Sequence, residues 1–404
     1  MNAKLAAMKS VHLIICDLFL PQDFAAEVCA DLRLPALEKM LARGVSTGVG
    51  RVGNLPTAHN LRGHGGQIAH PTQIAPLSLE AMLCEMFGVP CQAAIPALDA
   101  PQRRVMASHP NLPPLAGEGA NETLREFCVN APIAPVSAAF DGLGEGCWLR
   151  ADPVHLRLQR DQLVLLPEVG VDADEAAQLC VALNEHFAGQ GMEFFAPHPQ
   201  RWYVRLDQLP DIETVTLSQA AGRNVRGLLP KGKEAAHWHR VFNEIQMLLF
   251  AHPVNEAREA RGELPVNSLW LWGGGTANIS PQKNYGIVSS DEVLAEMFAA
   301  ATDIPFAGWP AQWHTEDNGG RQLLVWTGLR SALRRGDPDA WRAALQEFET
   351  GYAQPLWQAL RAGKISRLQL DILGGDSVRY LLLTRADAWA FWRRNRPLAE
   401  YTVV

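Results

Sequence analysis

Hydrophobic residues along the chain follow two patterns, one typical of buried strands and the other of helices with a single apolar face. Residues 11–16 form a continuous apolar run, as in a parallel strand that is covered on both faces. Residues 35–44 carry an apolar stripe with helical spacing, between a proline that suits a first helical turn and a glycine that suits a helix end. Asp17 directly follows the apolar run, at the position where α/β folds place ligand sites.

Strand and helix patterns continue to alternate along the rest of the chain. They predict a hairpin over 156–166, a helix over 174–187, a strand over 201–206, a helix over 235–251, a polar turn over 252–265, strands over 268–272 and 285–288, a helix over 291–301, a strand over 323–326, one long helix over 338–360 and strands over 368–373 and 380–384. Alternation at both ends of the chain implies a mostly parallel sheet flanked by helices, so the predicted fold class is α/β.

Residues 95–122 mark a predicted domain boundary. They are rich in proline, alanine and glycine, which is typical of a linker. The strand–helix–strand pattern that follows them predicts an inserted α+β cap domain. We therefore predict a core made of residues 1–112 and 245–404, with the cap at residues 113–244.

The composition narrows the classes of partner. The 404 residues carry a net charge of −7 with a pI near 6.0, whereas a general nucleic-acid binder presents a basic face. No apolar run reaches the roughly 18 residues of a membrane helix. The seven cysteines form no C-x-x-C pair, which fits reduced thiols in a cytosol. We therefore expect a cytoplasmic protein without a nucleic-acid or membrane partner, and the sequence leaves its oligomeric state open.

Three polar features are candidate sites. Glycines follow the apolar residues of 266–272 and either let a ligand approach the backbone or form a tight turn. Asn255, Arg258 and Asn267 lie among apolar residues, where they form either a buried structural network or a substrate pocket. Asp17 and His59 could hold a metal ion if the first loops meet. No P-loop and no G-x-S-x-G elbow is present.

Five segments occur in an order that resembles a known family: IICD, LPALEKMLARG, GNLPTAH, LRAD and HPVNEAREARGELPVNSLWLWGGG. On these segments the chain resembles the archaeal-type cofactor-independent phosphoglycerate mutases of the alkaline phosphatase superfamily, and also the proteobacterial regulatory proteins of the RpfE type. The resemblance implies an alkaline-phosphatase-like α/β core with an inserted cap. It also implies a chemistry in which aspartates and histidines hold two divalent metal ions, and a phosphorylated serine returns its phosphoryl group to glycerate. Asp17 matches the first of these aspartates.

The sequence departs from this family at residues to which the resemblance assigns catalysis. Leu55 stands where the family has its nucleophilic serine, and Thr57 is a candidate only if the loop register is shifted by two residues. Arg330 and Arg334 stand where the family has a metal-binding aspartate and histidine, and guanidinium groups cannot ligate a cation. Arg150 matches an arginine that holds the substrate in the family.

We therefore predict a catalytically degenerate protein with a binding or regulatory role, a pocket for a small phosphorylated or carboxylated ligand, and no bound cofactor. Two alternatives stay open: an active phosphoglycerate mutase or phosphatase that uses Mn or Zn, and a scaffold that contacts only other proteins. A carboxylate-rich pocket with a metal ion favours the enzyme, whereas an arginine-lined pocket favours the binding protein. The predicted ligand-binding residues are Arg150, Asn255, Arg258, Asn267, Arg330 and Arg334.

Overall fold

The computed structural model of the chain describes residues 10–51, 78–93, 128–314, 320–374 and 377–401. Its strands are β1 (Ser10–Cys16), β2 (Val45–Arg51), β3 (Gln92–Ala93), β4 (Cys128–Asn130), β5 (Cys147–Gln159), β6 (Gln162–Leu166), β7 (Met192–His198), β8 (Arg201–Leu206), β9 (Ile212–Glu213), β10 (Lys231–Gly232), β11 (Ser268–Thr276), β12 (Ile287–Ser290), β13 (Phe306–Gly308), β14 (Arg321–Trp326), β15 (Arg367–Gly374) and β16 (Ser377–Thr384).

The α-helices in the described ranges are α1 (Gln22–Val28), α2 (Pro35–Arg43), α3 (Leu79–Met86), α4 (Ile133–Phe140), α5 (Ala173–His186), α6 (Leu217–Ala220), α7 (Ala235–Phe250), α8 (Pro253–Ala260), α9 (Val293–Ala301), α10 (Arg330–Arg335), α11 (Pro338–Phe348) and α12 (Gln354–Ala362). Short 3-10 turns lie at Val225–Gly227, Asp387–Trp389 and Leu398–Glu400. None of the helices in these ranges is long and apolar enough to cross a lipid bilayer.

The larger sheet has the strand order β13–β12–β14–β1–β15–β16–β2. β1 lies at its centre and pairs in parallel with β14 and β15, and β12 pairs in parallel with β13 and β14. β16 runs antiparallel to both β15 and β2. The predicted α/β class with a mostly parallel sheet is therefore confirmed, and Asp17 follows the carboxyl end of a central strand as expected.

The continuous apolar run of β1 is explained by helices on both faces of this sheet. Leu13 and Ile15 pack in a cluster with residues of α2, α11 and α12. Ile14 and Cys16 pack in a second cluster with residues of α3 and α9. Because successive side chains of a strand point to opposite faces, a strand covered on both faces carries apolar residues on both. His12 is the polar exception in β1, and its ring nitrogens lie 2.9 Å from the Tyr285 hydroxyl and 2.7 Å from the Asp371 Oδ2.

A smaller antiparallel sheet has the order β11–β5–β8–β7, and β6 pairs with β5. Helices α5 and α7 cover this sheet in a cluster that includes Leu183, Ile245 and Trp202. β11 belongs to the smaller sheet, although its residues fall within the segment 245–404 that the sequence assigns to the core. The division of the chain into domains at residues 112 and 245 stays a prediction.

Residues 252–265, expected to form a polar turn, instead contain helix α8. Pro253 occupies the first turn, and the His252 Nδ1 accepts the backbone N–H of Val254 at 3.2 Å. The buried face of this helix includes Asn255 and Arg258, which are 2% and 1% exposed. The apolar stripe that marks other helices is therefore largely missing, and the expectation of a turn was wrong for that reason.

The predicted long helix over 338–360 consists of α11 and α12 joined by a π-helical segment, Glu349–Ala353. Glu349 is buried, and its carboxylate accepts the backbone N–H groups of Ala36 and Leu37 at 2.7 and 3.0 Å. These are first-turn amides of α2, which have no partner within their own helix. The π segment thus places a capping carboxylate against a helix more than three hundred residues earlier in the chain.

Candidate functional site

Asp17 is held through its backbone at the carboxyl end of β1. Its φ of 61° lies in the left-handed region, which residues other than glycine seldom adopt. Its backbone N–H donates to the Leu373 carbonyl at 2.7 Å, and its own carbonyl accepts from the Trp341 Nε1 at 3.3 Å. These bonds fix the turn that follows β1, and the Asp17 side chain remains 22% exposed at the edge of the sheet.

Helix α10 follows β14 and brings a guanidinium group to this carboxylate. The Arg330 Nε lies 3.2 Å from the Asp17 Oδ2, and its Nη1 lies 3.8 Å from the Glu292 Oε2. Burial acts to lower the pKa of Arg330, but the neighbouring negative charges, among them Asp17 and Glu292, outweigh burial and raise it. The Arg330 side chain is therefore a permanent cation between the end of β1 and the start of α9.

Arg334 lies on the same face of α10 as Arg330, because residues four apart are neighbours on a helix. Its Nη1 is 4.0 Å from the Oε1 of Glu168, whose side chain is 87% exposed and gives only a weak ion pair. Burial and the positive charge of Arg330 both lower the pKa of Arg334. The two guanidinium groups thus repel each other, and an anion bound between them would relieve the repulsion.

Three further carboxyl groups lie around the two arginines. Asp291 and Glu292 follow the carboxyl end of β12, and burial raises the pKa of each. The Asp291 carboxylate accepts the Thr327 N–H at 2.8 and 3.0 Å. Glu80, in the first turn of α3, is buried and influences both Arg330 and Glu292 electrostatically. Its Oε2 has no hydrogen-bond partner among the described residues, so a donor on a bound molecule would satisfy it.

The predicted positions of the nucleophile and of a metal-binding histidine, Leu55, Thr57 and His59, lie outside the described residues. Within the described ranges, no three His, Cys, Asp or Glu side chains converge as the ligands of a metal ion would. Asp17, the other predicted metal ligand, contacts the cation of Arg330. In the described residues, the positive charge next to the Asp17 carboxylate is therefore that of the Arg330 side chain.

The burial of Glu292 predicts a pH-dependent stability. Its pKa is raised above the ordinary value of 4.5, so the folded state binds this proton more tightly than the unfolded state does. The contribution of Glu292 to the free energy of unfolding is therefore greatest at acid pH and falls as the pH rises through the raised pKa. We expect Glu292→Gln to raise the melting temperature at about pH 7, with a gain that shrinks towards about pH 4.

Glu168→Gln is the matched control for this prediction, because Glu168 lies beside Arg334 but is almost fully exposed. We expect its melting temperature to follow that of the natural chain at every pH. Thermal unfolding followed by circular dichroism across the pH range measures both variants. If Glu292→Gln lowers the melting temperature near neutral pH, the prediction is contradicted, because the negative charge of Glu292 would then stabilise the folded state.

Arg150 lies on β5 of the smaller sheet, in a buried cluster of charged and aromatic side chains. Its Nε and Nη2 donate to the Asp152 Oδ1 at 3.2 and 2.6 Å. Its guanidinium carbon lies 5.2 Å from the ring centroid of Tyr203 and 5.3 Å from that of Trp272. The partners of Arg330, which are Asp17 and Glu292, are different residues. The predicted arginines thus fall into three clusters: Arg150 with Asp152, Arg258 with Glu175, and Arg330 with its neighbour Arg334.

Asn255, Arg258 and Asn267 are bonded mainly to backbone groups. The Asn255 side chain donates to the Leu249 and Val266 carbonyls and accepts the Val266 N–H, at 2.7 to 2.8 Å. The Asn267 amide exchanges two bonds with the backbone of Leu156, at 2.7 and 2.9 Å.

Arg258 donates to the Leu264 carbonyl at 2.9 Å, to the Val169 carbonyl and to the Glu175 carboxylate. These contacts are those of a buried structural network, which was one of the two alternatives left open by the sequence. Ligand binding by Asn255, Arg258 and Asn267 stays a prediction.

Sequence reasoning missed Asp291, Glu292 and Glu80. Asp291 and Glu292 follow β12 as Asp17 follows β1, so the same rule about carboxyl ends of parallel strands could have found them. The signal is weaker there, because β12 is short (Ile287–Ser290). Glu80 carries no comparable signal, since it is one acidic residue in the first turn of a helix.

The chain was compared with known proteins. No protein-family model matches it. It is 28% identical over 109 residues to the 2,3-bisphosphoglycerate-independent phosphoglycerate mutase of Methanosarcina barkeri, covering 26% of this chain and 27% of that protein. The corresponding enzyme of Methanosarcina acetivorans is 26% identical over 151 residues, covering 36% and 37%. Mutase 2 of Methanothermobacter thermautotrophicus is 27% identical over 208 residues, covering 45% and 52%.

Two solved structures align with most of the chain. The cofactor-independent phosphoglycerate mutase of Thermoplasma acidophilum is 13% identical with a TM-score of 0.39, over 93% of this chain and 90% of that one. A protein from Pyrococcus horikoshii is 14% identical with a TM-score of 0.47, over 98% and 93%. The chain spans no more than about half the length of these three curated relatives. The protein is thus similar, at low identity, to cofactor-independent phosphoglycerate mutases.

Proposed function

We propose that this phosphoglycerate-mutase-like protein binds a small phosphorylated or carboxylated metabolite at the carboxyl edge of its larger sheet and does not transfer phosphoryl groups. One observation carries the proposal: the Arg330 guanidinium lies 3.2 Å from Asp17, beside the residue to which the resemblance assigns a metal ion. A guanidinium supplies positive charge and directed N–H donors at this place, both of which suit a phosphate or carboxylate.

Arg334 is the side chain that we propose to meet the ligand first. It lies beside Arg330, its weak partner Glu168 is almost fully exposed, and its own side chain is 40% exposed. Arg330 is already engaged with Asp17 and acts as the second cation.

The two divalent metal ions implied by the resemblance do not fit the described residues. A metal ion on the Asp17 carboxylate would lie close to a guanidinium group, and the two cations would repel each other. The Asp17 carboxylate has such a neighbour in Arg330. We accordingly propose a protein without a bound metal ion or other cofactor.

The proposal is tested by thermal unfolding of the full chain in a chelator, with inorganic phosphate or phosphoglycerate added. A ligand that binds only the folded state raises the melting temperature with its concentration. We expect Arg334→Gln to weaken the apparent affinity about tenfold or more, since a hydrogen bond to a charged group contributes about 1.5 to 3 kcal/mol.

Arg335→Gln is the matched control, because Arg335 lies on the same short helix but is exposed and bonds to Ser331. We expect this variant to bind phosphate as the natural chain does. An equal loss of affinity in both variants would mean that phosphate is attracted by general charge and not by the site. No rise in melting temperature with either ligand would overturn the proposal.

A further inference from the structure

Residues 385–396 form a surface of exposed aromatic rings and arginines that the proposed function does not use. We propose that this surface associates with anionic phospholipid headgroups at the face of a membrane. We call it the aromatic–arginine surface and define it by Trp389, Phe391, Trp392, Arg361, Arg393 and Arg394. The proposal concerns attachment to a membrane face, which departs from the sequence-based expectation of no membrane partner. It is independent of anion binding at Asp17 and Arg330.

Three large rings stand out from the protein within four residues of sequence. Trp389, Phe391 and Trp392 are 53%, 83% and 70% exposed. The small residues between and before them are anchored, since Ala388 and Ala390 are 1% and 4% exposed. Contiguous exposed apolar side chains of this size mark interaction sites in soluble proteins. The rings therefore protrude from a fixed base.

The base is held by contacts that keep the rings and cations in place. The Arg361 guanidinium lies 4.6 Å from the ring centroid of Trp389. Arg43 donates to the Ala388 carbonyl at 2.9 Å, and Arg393 donates to the Arg43 carbonyl at 2.7 Å. A surface ordered before binding loses less conformational entropy when a partner is bound.

The charge of this surface is opposite to that of the whole chain. Residues 385–396 contain four arginines and one acidic residue, in a chain whose net charge is −7. One of the four, Arg396, lies 3.9 Å from the Glu400 carboxylate, so the excess comes from the other three. The single acid, Asp387, is engaged with the backbone and hydroxyl of Thr384 at 3.0 and 2.7 Å. The arginines around Asp387 therefore give this surface a positive charge, which is complementary to an anionic surface.

An anionic bilayer fits this combination better than a second copy of the chain. Tryptophan and phenylalanine partition into the headgroup layer, and each nearby cation adds about 1 kcal/mol of attraction to anionic lipids. A bilayer accepts protruding rings without a complementary pocket. Two copies related by a twofold axis through this surface would instead place arginines against arginines.

The test is flotation of the full chain with vesicles of phosphatidylcholine alone or mixed with phosphatidylglycerol. We expect binding to the mixed vesicles, little binding to phosphatidylcholine, and a shift of tryptophan emission to shorter wavelength on binding. The double variant Phe391→Ser, Trp392→Ser and the variant Arg394→Glu should each reduce vesicle binding about tenfold or more, because they remove the apolar and the charged contribution respectively.

Phe250→Ser and Arg240→Glu are the matched controls, since both residues are exposed on helix α7. They should leave vesicle binding unchanged, and all variants should keep the melting temperature of the natural chain. No binding to the mixed vesicles, or equal binding by the surface and control variants, would overturn the proposal. It would also be overturned if the double variant converted an oligomer to a monomer without changing vesicle binding, since a protein would then cover the rings.

Discussion

We expect no measurable phosphoglycerate mutase turnover by the purified chain, even with manganese in the assay. The resemblance places metal ligands at the positions of Arg330 and Arg334 and a serine at the position of Leu55. Arginine cannot ligate a metal ion, and leucine has no atom that can accept a phosphoryl group. Loss of a nucleophile or its activating group lowers rates by about four to six orders of magnitude. Any residual rate would therefore lie below the detection limit of a coupled assay.

A variant can test whether Arg330 and Arg334 prevent a metal ion from binding at this place. We expect the double change Arg330→Asp, Arg334→His to give a chain whose melting temperature rises when manganese is added, whereas the natural chain does not respond. Turnover by the natural chain that Thr57→Ala abolishes would contradict this account and favour the active enzyme. Turnover that survives Thr57→Ala would mean that another group acts as nucleophile.

The second large effect is expected when Arg258 is replaced, and it concerns the free energy of unfolding instead of ligand binding. Arg258 is 1% exposed and donates to Glu175 and to the carbonyls of Val169 and Leu264. Without Arg258 the two carbonyls lose this donor, and the Glu175 carboxylate keeps only the half-exposed Arg261, at 2.5 Å. Breaking a buried ion pair by removing one partner costs about 3 to 5 kcal/mol. We expect Arg258→Met to lower the free energy of unfolding by that amount.

Urea unfolding measures this change, and phosphate titration of the folded variant measures binding. We expect Arg258→Met to keep the phosphate affinity of the natural chain, since none of its contacts reaches Arg330. If that variant does not fold, Arg258→Lys keeps the charge and should be intermediate in stability. The control is Arg240→Met, whose side chain is exposed on α7 and should change the midpoint little. If Arg258→Met keeps its stability but loses phosphate affinity, this prediction is contradicted and Arg258 takes part in ligand binding.

The sequence predicted the larger sheet well where local pattern and packing agree. The apolar run of β1 is readable because both of its faces are covered, and the position of Asp17 follows from the end of that run. α8 was not predicted, because its buried face contains Asn255 and Arg258, whose burial depends on partners in distant segments. Local periodicity holds no information about such partners.

The contacts of the candidate site were less accessible to sequence reasoning. The resemblance singled out Arg330, but its bond to Asp17 joins residues 313 positions apart and depends on the parallel pairing of β1 with β14. The approach of Glu292 to Arg330 depends in turn on β12 lying beside β14. A strand order must be known before such neighbours can be named, and the sequence predicted strands without their order.

Calorimetric titration of phosphoglycerate into the full chain, first in a chelator and then with manganese, tests the central claim most directly. The account predicts that binding is present in the chelator, is unchanged by manganese, and is weakened about tenfold or more in Arg330→Gln and in Arg334→Gln but not in Arg335→Gln. Binding that appears only when manganese is added, and that survives Arg330→Gln, would contradict it.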